Sequence, residues 1–217
     1  MSTFAKASLE VKVCGITRSE DALAAVQCGV HAIGLLFWSG SKRAVSLEQA
    51  RIICEVIPPF VSVVGLFVDP KEEEVAAALS SVPLNILQMH GSESPAFCEQ
   101  WQVPYIKALK VQPDVDLEGQ AAQHRGARGF LLDSVHDGQF GGTGRQFDWG
   151  LVPADFARPL ILAGGLNPAT VGEAISRLRP SAVDVSSGVE LSPGKKDPEK
   201  IRQFMEAVQM AEKVVTT

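Results

Sequence analysis

Short apolar runs recur along this chain at nearly even spacing, each followed by a more polar, helix-like stretch. The candidate strands are 9–16 (LEVKVCGI), 31–37 (HAIGLLF), 61–68 (VSVVGLFV), 84–90 (LNILQMH), 105–111 (YIKALKV), 129–134 (GFLLDS), 159–165 (PLILAGG) and 182–187 (AVDVSS). Their starts lie 21–30 residues apart, close to the length of one βα unit. Between them run amphipathic patterns. SEDALAAVQCG offers Ser19 as an N-cap and Gly29 as a stop. SLEQARIICEVIPP places Ser46 three residues before Gln49, a capping-box spacing, and stops at Pro58 and Pro59. Strands that alternate with helices reach their parallel neighbours through crossovers, so the pattern predicts a mostly parallel sheet. Eight strands are the number that closes, and the expected fold is an α/β (β/α)₈ barrel.

An open, doubly wound sheet is the competing architecture. Its fingerprints are absent, because no G-x-G-x-x-G follows the first run and no G-x-x-x-x-G-K-[ST] occurs. With 217 residues, no low-complexity linker and no close internal repeat, the chain reads as one domain spanning 1–217. A hydrophobic content of 46% with one tyrosine and ten phenylalanines rests the core on Val, Leu, Ile and Ala, which suits buried parallel strands.

Charge and cysteines bound the partners. Twenty Lys and Arg against 25 Asp and Glu give a net charge of −5, and the basic residues cluster only in pairs, so nucleic acid is not an expected partner. A small anion held in one local pocket is compatible with that balance. The opening MSTFAKASLE holds no apolar run of signal-peptide length, and no stretch approaches the ~18–20 apolar residues of a membrane span. Cys14, Cys28, Cys54 and Cys98 form no CxxC pair, and a reducing, cytoplasmic setting is the expectation. Histidines at 31, 90, 124 and 136 lack metal-ligand spacing, so no metal is expected.

Barrel enzymes work where strands end and βα loops begin. The polar residues there are Cys14, Arg43, Asp69, His90, Asp133, Gly164, Gly165, Asp184, Ser186, Ser187 and Gly188. AGGLNP and DVSSGVE put Gly or Ser directly after buried strands, where backbone N–H groups can approach an anion, and adjacent seventh and eighth loops commonly hold a phosphate. The alternative is two ordinary glycine turns. Cys14 reads as a buried small residue or, beside a phosphate site, as a base or nucleophile. Asp133, at the end of an apolar strand, is a candidate general acid or a capping carboxylate. Arg43 can fork onto a ligand carboxylate or phosphate, or form a surface ion pair. His90 reads as a satisfied strand-end histidine. Cys28, Cys54 and Cys98 fall in helical patterns and read as buried. The glycine-rich stretch 136–149 has the length of a lid.

Together, KVCGIT (12–17), LQMHG (87–91), LLDS (131–134), GGTGRQFDW (141–149), LAGGLNP (162–168), VDVSSGVE (183–190) and SPGKKD (192–197) resemble the phosphoribosylanthranilate isomerase family of tryptophan biosynthesis, from about residue 11 to 208. The resemblance implies an Amadori rearrangement of N-(5′-phosphoribosyl)anthranilate without cofactor or metal. It implies Cys14 as general base, Asp133 as general acid and Arg43 as the anchor of the anthranilate carboxylate. Gly164, Gly165, Ser186, Ser187 and Gly188 would bind phosphate, and His90 and Asp184 would line the pocket. Lys42, Met89 and Arg145 stand where the family more often has proline, leucine and lysine. The implied partner is a small phosphorylated substrate. The implied assembly is a monomer or homodimer, with association with neighbouring pathway enzymes left open. A histidine-pathway isomerase performs the same rearrangement with two carboxylates and two phosphate sites. Cys14 and the single Gly/Ser phosphate site argue against that reading, and a non-catalytic phosphate-binding barrel is the remaining alternative.

Overall fold

Apolar residues alternate with Lys12 and Cys14 in the first strand, and both sides of that alternation are buried. A half-exposed sheet would leave one set in water, so this strand is covered on both faces. The computed structural model describes residues 9–136, 139–140, 148–153, 156 and 159–215. Among them, eight parallel strands form one sheet: β1 (Glu10–Cys14), β2 (Ala32–Leu36), β3 (Ser62–Phe67), β4 (Ile86–Met89), β5 (Tyr105–Val111), β6 (Gly129–His136), β7 (Leu160–Leu162) and β8 (Ala182–Val185). Their order is β5-β4-β3-β2-β1-β8-β7-β6, and pairing of β5 with β6 closes the barrel.

The helices are α1 (Ser19–Gln27), α2 (Leu47–Cys54), α3 (Glu72–Ser81), α4 (Pro95–Glu99), α5 (Leu117–Gln123), α6 (Val171–Leu178) and α7 (Pro198–Val215). Ser46 caps α2 by accepting from the Gln49 N–H at 3.1 Å, but the Gln49 side chain donates to the Thr17 carbonyl instead of completing a capping box. Ser19 is the first residue of α1 rather than its cap. Gly29 ends that helix at φ +84, where the Val30 N–H returns to the Ala25 carbonyl. Between β6 and β7, where a helix is expected, the helical structure among the described residues is a 3₁₀ turn at Trp149–Leu151, which ends where the extended Val152 precedes Pro153. The segment Gln139–Phe140 pairs antiparallel with the end of β6. The rest of the expected 136–149 lid, 137–138 and 141–147, lies outside the described residues.

Outward residues such as Val11, Val13, Phe67 and Phe130 build the layer between barrel and helices, which holds most of the apolar core. Inside the barrel, Ala108, Leu131 and Ala163 form a small plug, and above it Cys14, Leu36, Leu66 and Val68 border the C-terminal mouth. The ends of β3, β4 and β5 are tied by a buried ion pair. Lys107 Nζ meets Glu93 Oε2 at 2.9 Å and donates to the carbonyls of Met89 and Gly91. Glu93 in turn accepts from the Asp69 and Gly91 N–H groups. Removing the cation strands a buried carboxylate. Lys107→Met should lower unfolding free energy by about 3–5 kcal/mol, read as a drop in the urea midpoint at unchanged m-value; an unshifted midpoint would show that the pair does not hold these strand ends.

Candidate active site

The closed barrel brings side chains from distant segments to one cavity at its C-terminal mouth. It is lined by residues at the ends of β1, β2, β3, β4, β6, β7 and β8 and from the loops that follow them.

On one side lies the end of β1. Lys12 and Cys14 are two residues apart and so face the barrel interior together. Lys12 Nζ donates to Asp184 Oδ2 at 2.8 Å, and the two residues are register partners on β1 and β8. The register partner of Cys14 is Gly34 on β2. A Cβ at Gly34 would stand 2.7 Å from Cys14 Sγ and 3.1 Å from Lys12 Cε, so glycine there makes room for both side chains. Burial pushes the Cys14 thiol up, with Lys12 as the largest influence pulling it back. Burial pushes Asp184 up as well, again against Lys12. Asp184 Oδ1 is buried without a hydrogen-bond partner and borders the cavity.

On the other side, Asp133 Oδ2 lies 3.3 Å from His90 Nε2. The Gln88 amide reaches His90 Nδ1 at 3.0 Å. His90 is therefore both a satisfied strand-end histidine and a cavity wall.

A third set comes from the loops after β7 and β8. Gly164 and Gly165 have φ +77 and +67, a left-handed backbone that glycine adopts without strain. No main-chain carbonyl among the described residues accepts from the N–H groups of Gly164, Gly165, Ser187 or Gly188. With Ser186 and Ser187, the two glycines border the cavity and offer donors to an anion. Gly188 does not border it. A Cβ there would lie 1.9 Å from the Leu166 carbonyl oxygen, so Gly188 is the point where the two loops touch.

Arg43 closes the rim. Its Nε and Nη2 fork onto Glu190 at 2.8 and 2.7 Å, and its Cδ lies where a Cβ on Gly15 would come within 2.6 Å. Glu190 also receives the fully buried Lys196 ammonium at 2.9 Å, which donates to the Ser186 carbonyl at 3.1 Å. Burial favours a protonated Glu190, but the Arg43 hydrogen bonds and the Lys196 charge outweigh it and hold the carboxyl below its usual range. Burial pulls Lys196 down despite Glu190.

Of the polar strand-end residues expected at the site, all but Asp69 and Gly188 border one cavity; Asp69 instead accepts from the Ser92 N–H at 2.6 Å. Sequence reasoning missed Lys12, Gln88, Trp38, Glu190 and Lys196. Lys12 and Gln88 carried a usable signal, being polar residues in the middle of apolar strands. Glu190 and Lys196 lie on the hairpin Glu190–Ser192 with Lys195–Lys196, whose contact with Arg43 spans 147 residues. Burial pushes Cys54 up to about 11 and Cys98 up to about 12, which leaves both thiols inert near neutral pH. Among the described residues no group of His, Cys, Asp and Glu could hold a metal ion, and no helix is long and apolar enough to cross a membrane.

Comparison with known proteins adds an independent line. Residues 11–207 match the family described as N-(5′-phosphoribosyl)anthranilate (PRA) isomerase. The isomerase of that name from Pseudomonas fluorescens (strain SBW25) is 54% identical over 197 residues, covering 91% of this chain and 94% of that one. The crystal structure of phosphoribosyl anthranilate isomerase from Thermotoga maritima superposes with a TM-score of 0.85 at 42% identity, covering 93% of this chain and 99% of that one. A second isomerase structure, in complex with reduced 1-(o-carboxyphenylamino)-1-deoxyribulose 5-phosphate, gives a TM-score of 0.82 at 42% identity, with the same coverage.

The contact between the two loops yields a test. Gly188→Ala must push the Leu166 carbonyl away, and overpacking of this kind costs about 1–3 kcal/mol. Calorimetric titration with inorganic phosphate should show weaker binding than in the parent chain. Unchanged phosphate affinity would mean that these loops do not form the anion site.

Proposed function

The chain belongs to the N-(5′-phosphoribosyl)anthranilate isomerase family, and on that premise we propose that Asp133 and Cys14 carry its reaction as acid and base. The reaction is the Amadori rearrangement of N-(5′-phosphoribosyl)anthranilate to 1-(2-carboxyphenylamino)-1-deoxyribulose 5-phosphate, a step of L-tryptophan biosynthesis. The observation that carries the assignment is that both groups border one cavity, together with a Gly/Ser loop pair and the Arg43 guanidinium.

Protonated Asp133 gives its proton to the furanose ring oxygen as the bond from that oxygen to C1′ breaks, and the anilino nitrogen's lone pair forms the Schiff base. The Asp133 carboxylate left behind lies 3.3 Å from His90 Nε2. The Cys14 thiolate then takes the proton from C2′, and the electron pair of that C–H bond neutralises the iminium to give an enolamine. Tautomerisation moves a proton from the C2′ hydroxyl to C1′ and yields the ketone. The product has the atoms of the substrate, and no redox partner is involved.

Positioning supplies the rest. The phosphate lies on the N–H groups and hydroxyls of Gly164, Gly165, Ser186 and Ser187. The anthranilate carboxylate meets the part of the Arg43 guanidinium that Glu190 leaves uncommitted. Trp38, packed against Cys14, Leu36, Leu66 and Val68, provides an apolar wall for the aromatic ring. The open Oδ1 of Asp184 accepts from a sugar hydroxyl. Fixing both ends of the substrate makes the proton transfers effectively intramolecular.

Asp133→Asn and Cys14→Ala should each lower kcat by about 10²–10⁴-fold with little change in KM, measured in a steady-state isomerase assay. Near-normal kcat in either variant removes that residue from its role. Arg43→Ala should act mainly on KM; a loss confined to kcat would place its contact in the transition state alone.

A further inference from the structure

Lys12 has no part in the proton transfers above, yet it is the charged residue closest in sequence to Cys14, and it is buried, at 6% exposure. A lysine ammonium is rarely buried without a partner. Here its partner is Asp184 at 2.8 Å, while β-strand geometry and the missing side chain of Gly34 bring its stem alongside the Cys14 thiol. We propose that Lys12 is a positioning residue for this reaction: its ammonium, shared between Asp184 and Cys14 inside the barrel, sets how readily the Cys14 thiol gives up its proton. The proposal rests on the reading of Cys14 as the base.

The charged groups around Cys14 come from every side. Lys12 on β1 and Asp184 on β8 are nearest in the ion network, with Arg43 from the loop after β2 and Lys196 from the hairpin after β8 further out. His90 on β4 and Asp133 on β6 face Asp184 from across the cavity. Burial works against the Lys12 charge, but Asp184 and then Cys14 more than offset it, so the residue stays an ammonium. Lys12 therefore favours the thiolate, and Asp184 opposes it both by its own charge and by competing for the same ammonium. Removing Lys12 and removing the Asp184 charge should thus move Cys14 in opposite directions, which a merely structural role would not do.

The test is the pH dependence of Cys14 alkylation by iodoacetamide in the ligand-free enzyme, followed on the Cys14 peptide by mass spectrometry so that Cys28, Cys54 and Cys98 do not contribute. Lys12→Met should move the alkylation midpoint up by about one pH unit or more, about a tenfold slower reaction near neutral pH. Asp184→Asn should move it down. In Lys12→Met, the acid limb of kcat/KM should follow the alkylation midpoint. Should the lone buried carboxylate of Lys12→Met prevent folding, the double variant Lys12→Met/Asp184→Asn removes both charges and should still titrate above the parent. An unmoved midpoint in the Lys12 variants, or an upward shift in Asp184→Asn, overturns the proposal. A moved midpoint with an unmoved kcat/KM limb overturns the reading of Cys14 as the base, and with it the role of Lys12 in the reaction.

Discussion

Pairing of β5 with β6 is the constraint on which the site depends, because it turns a row of parallel strands into a ring. In an open sheet, inward residues of β1 and β6 would lie three strands apart along that row and would not face each other. Closure puts them on opposite sides of one mouth, with β8 and β7 between them. The ring also fixes a division of labour. Residues pointing outward are apolar and pack under helices, so stability resides mainly there. Residues pointing inward at the C-terminal end are released from core packing and can carry charge.

That charge is organised in three buried groups: Lys12 with Asp184, Lys107 with Glu93, and Glu190 with Arg43 and Lys196. Each joins segments that are distant in the chain, and each lies at or near the strand ends where the loops begin. Buried ion pairs gain little net stability over apolar packing, but they are costly to leave half-made. They therefore hold a unique arrangement, as a site that must grip both ends of one substrate requires. A net charge of −5 offers no general attraction for a phosphorylated carboxylate, so on the proposed reading the attraction is local, from Arg43 and the loop amides.

The architecture was legible in the sequence because the βα rhythm is a repeating signal that eight segments report together. That the loops after β7 and β8 reach the cavity was legible for a similar reason, since AGGLNP and DVSSGVE place permissive residues directly after buried strands. Gly188 shows the limit: glycine for ligand approach and glycine for chain approach look alike until the Leu166 carbonyl is found against it. Where the rhythm predicts a sixth helix, the described residues show a 3₁₀ turn that stops at Val152 before Pro153. Arg43 was legible as an anion anchor, but its clamp by Glu190 was not, because no local pattern links residues so far apart. Lys12 was within reach of sequence reasoning, yet its meaning depends on Asp184 as a cross-strand partner, and register is a tertiary fact.

On the proposed mechanism, acid and base face the same substrate from opposite sides of the mouth. A crystal structure of this chain with the reduced product analogue bound tests it most directly. The account predicts the carbon corresponding to C2′ within about 3.5 Å of Cys14 Sγ, and the oxygen released by ring opening within about 3.2 Å of an Asp133 carboxyl oxygen. A ligand seated in the cavity with C2′ turned away from Cys14, or with Asp133 out of reach of that oxygen, would contradict it.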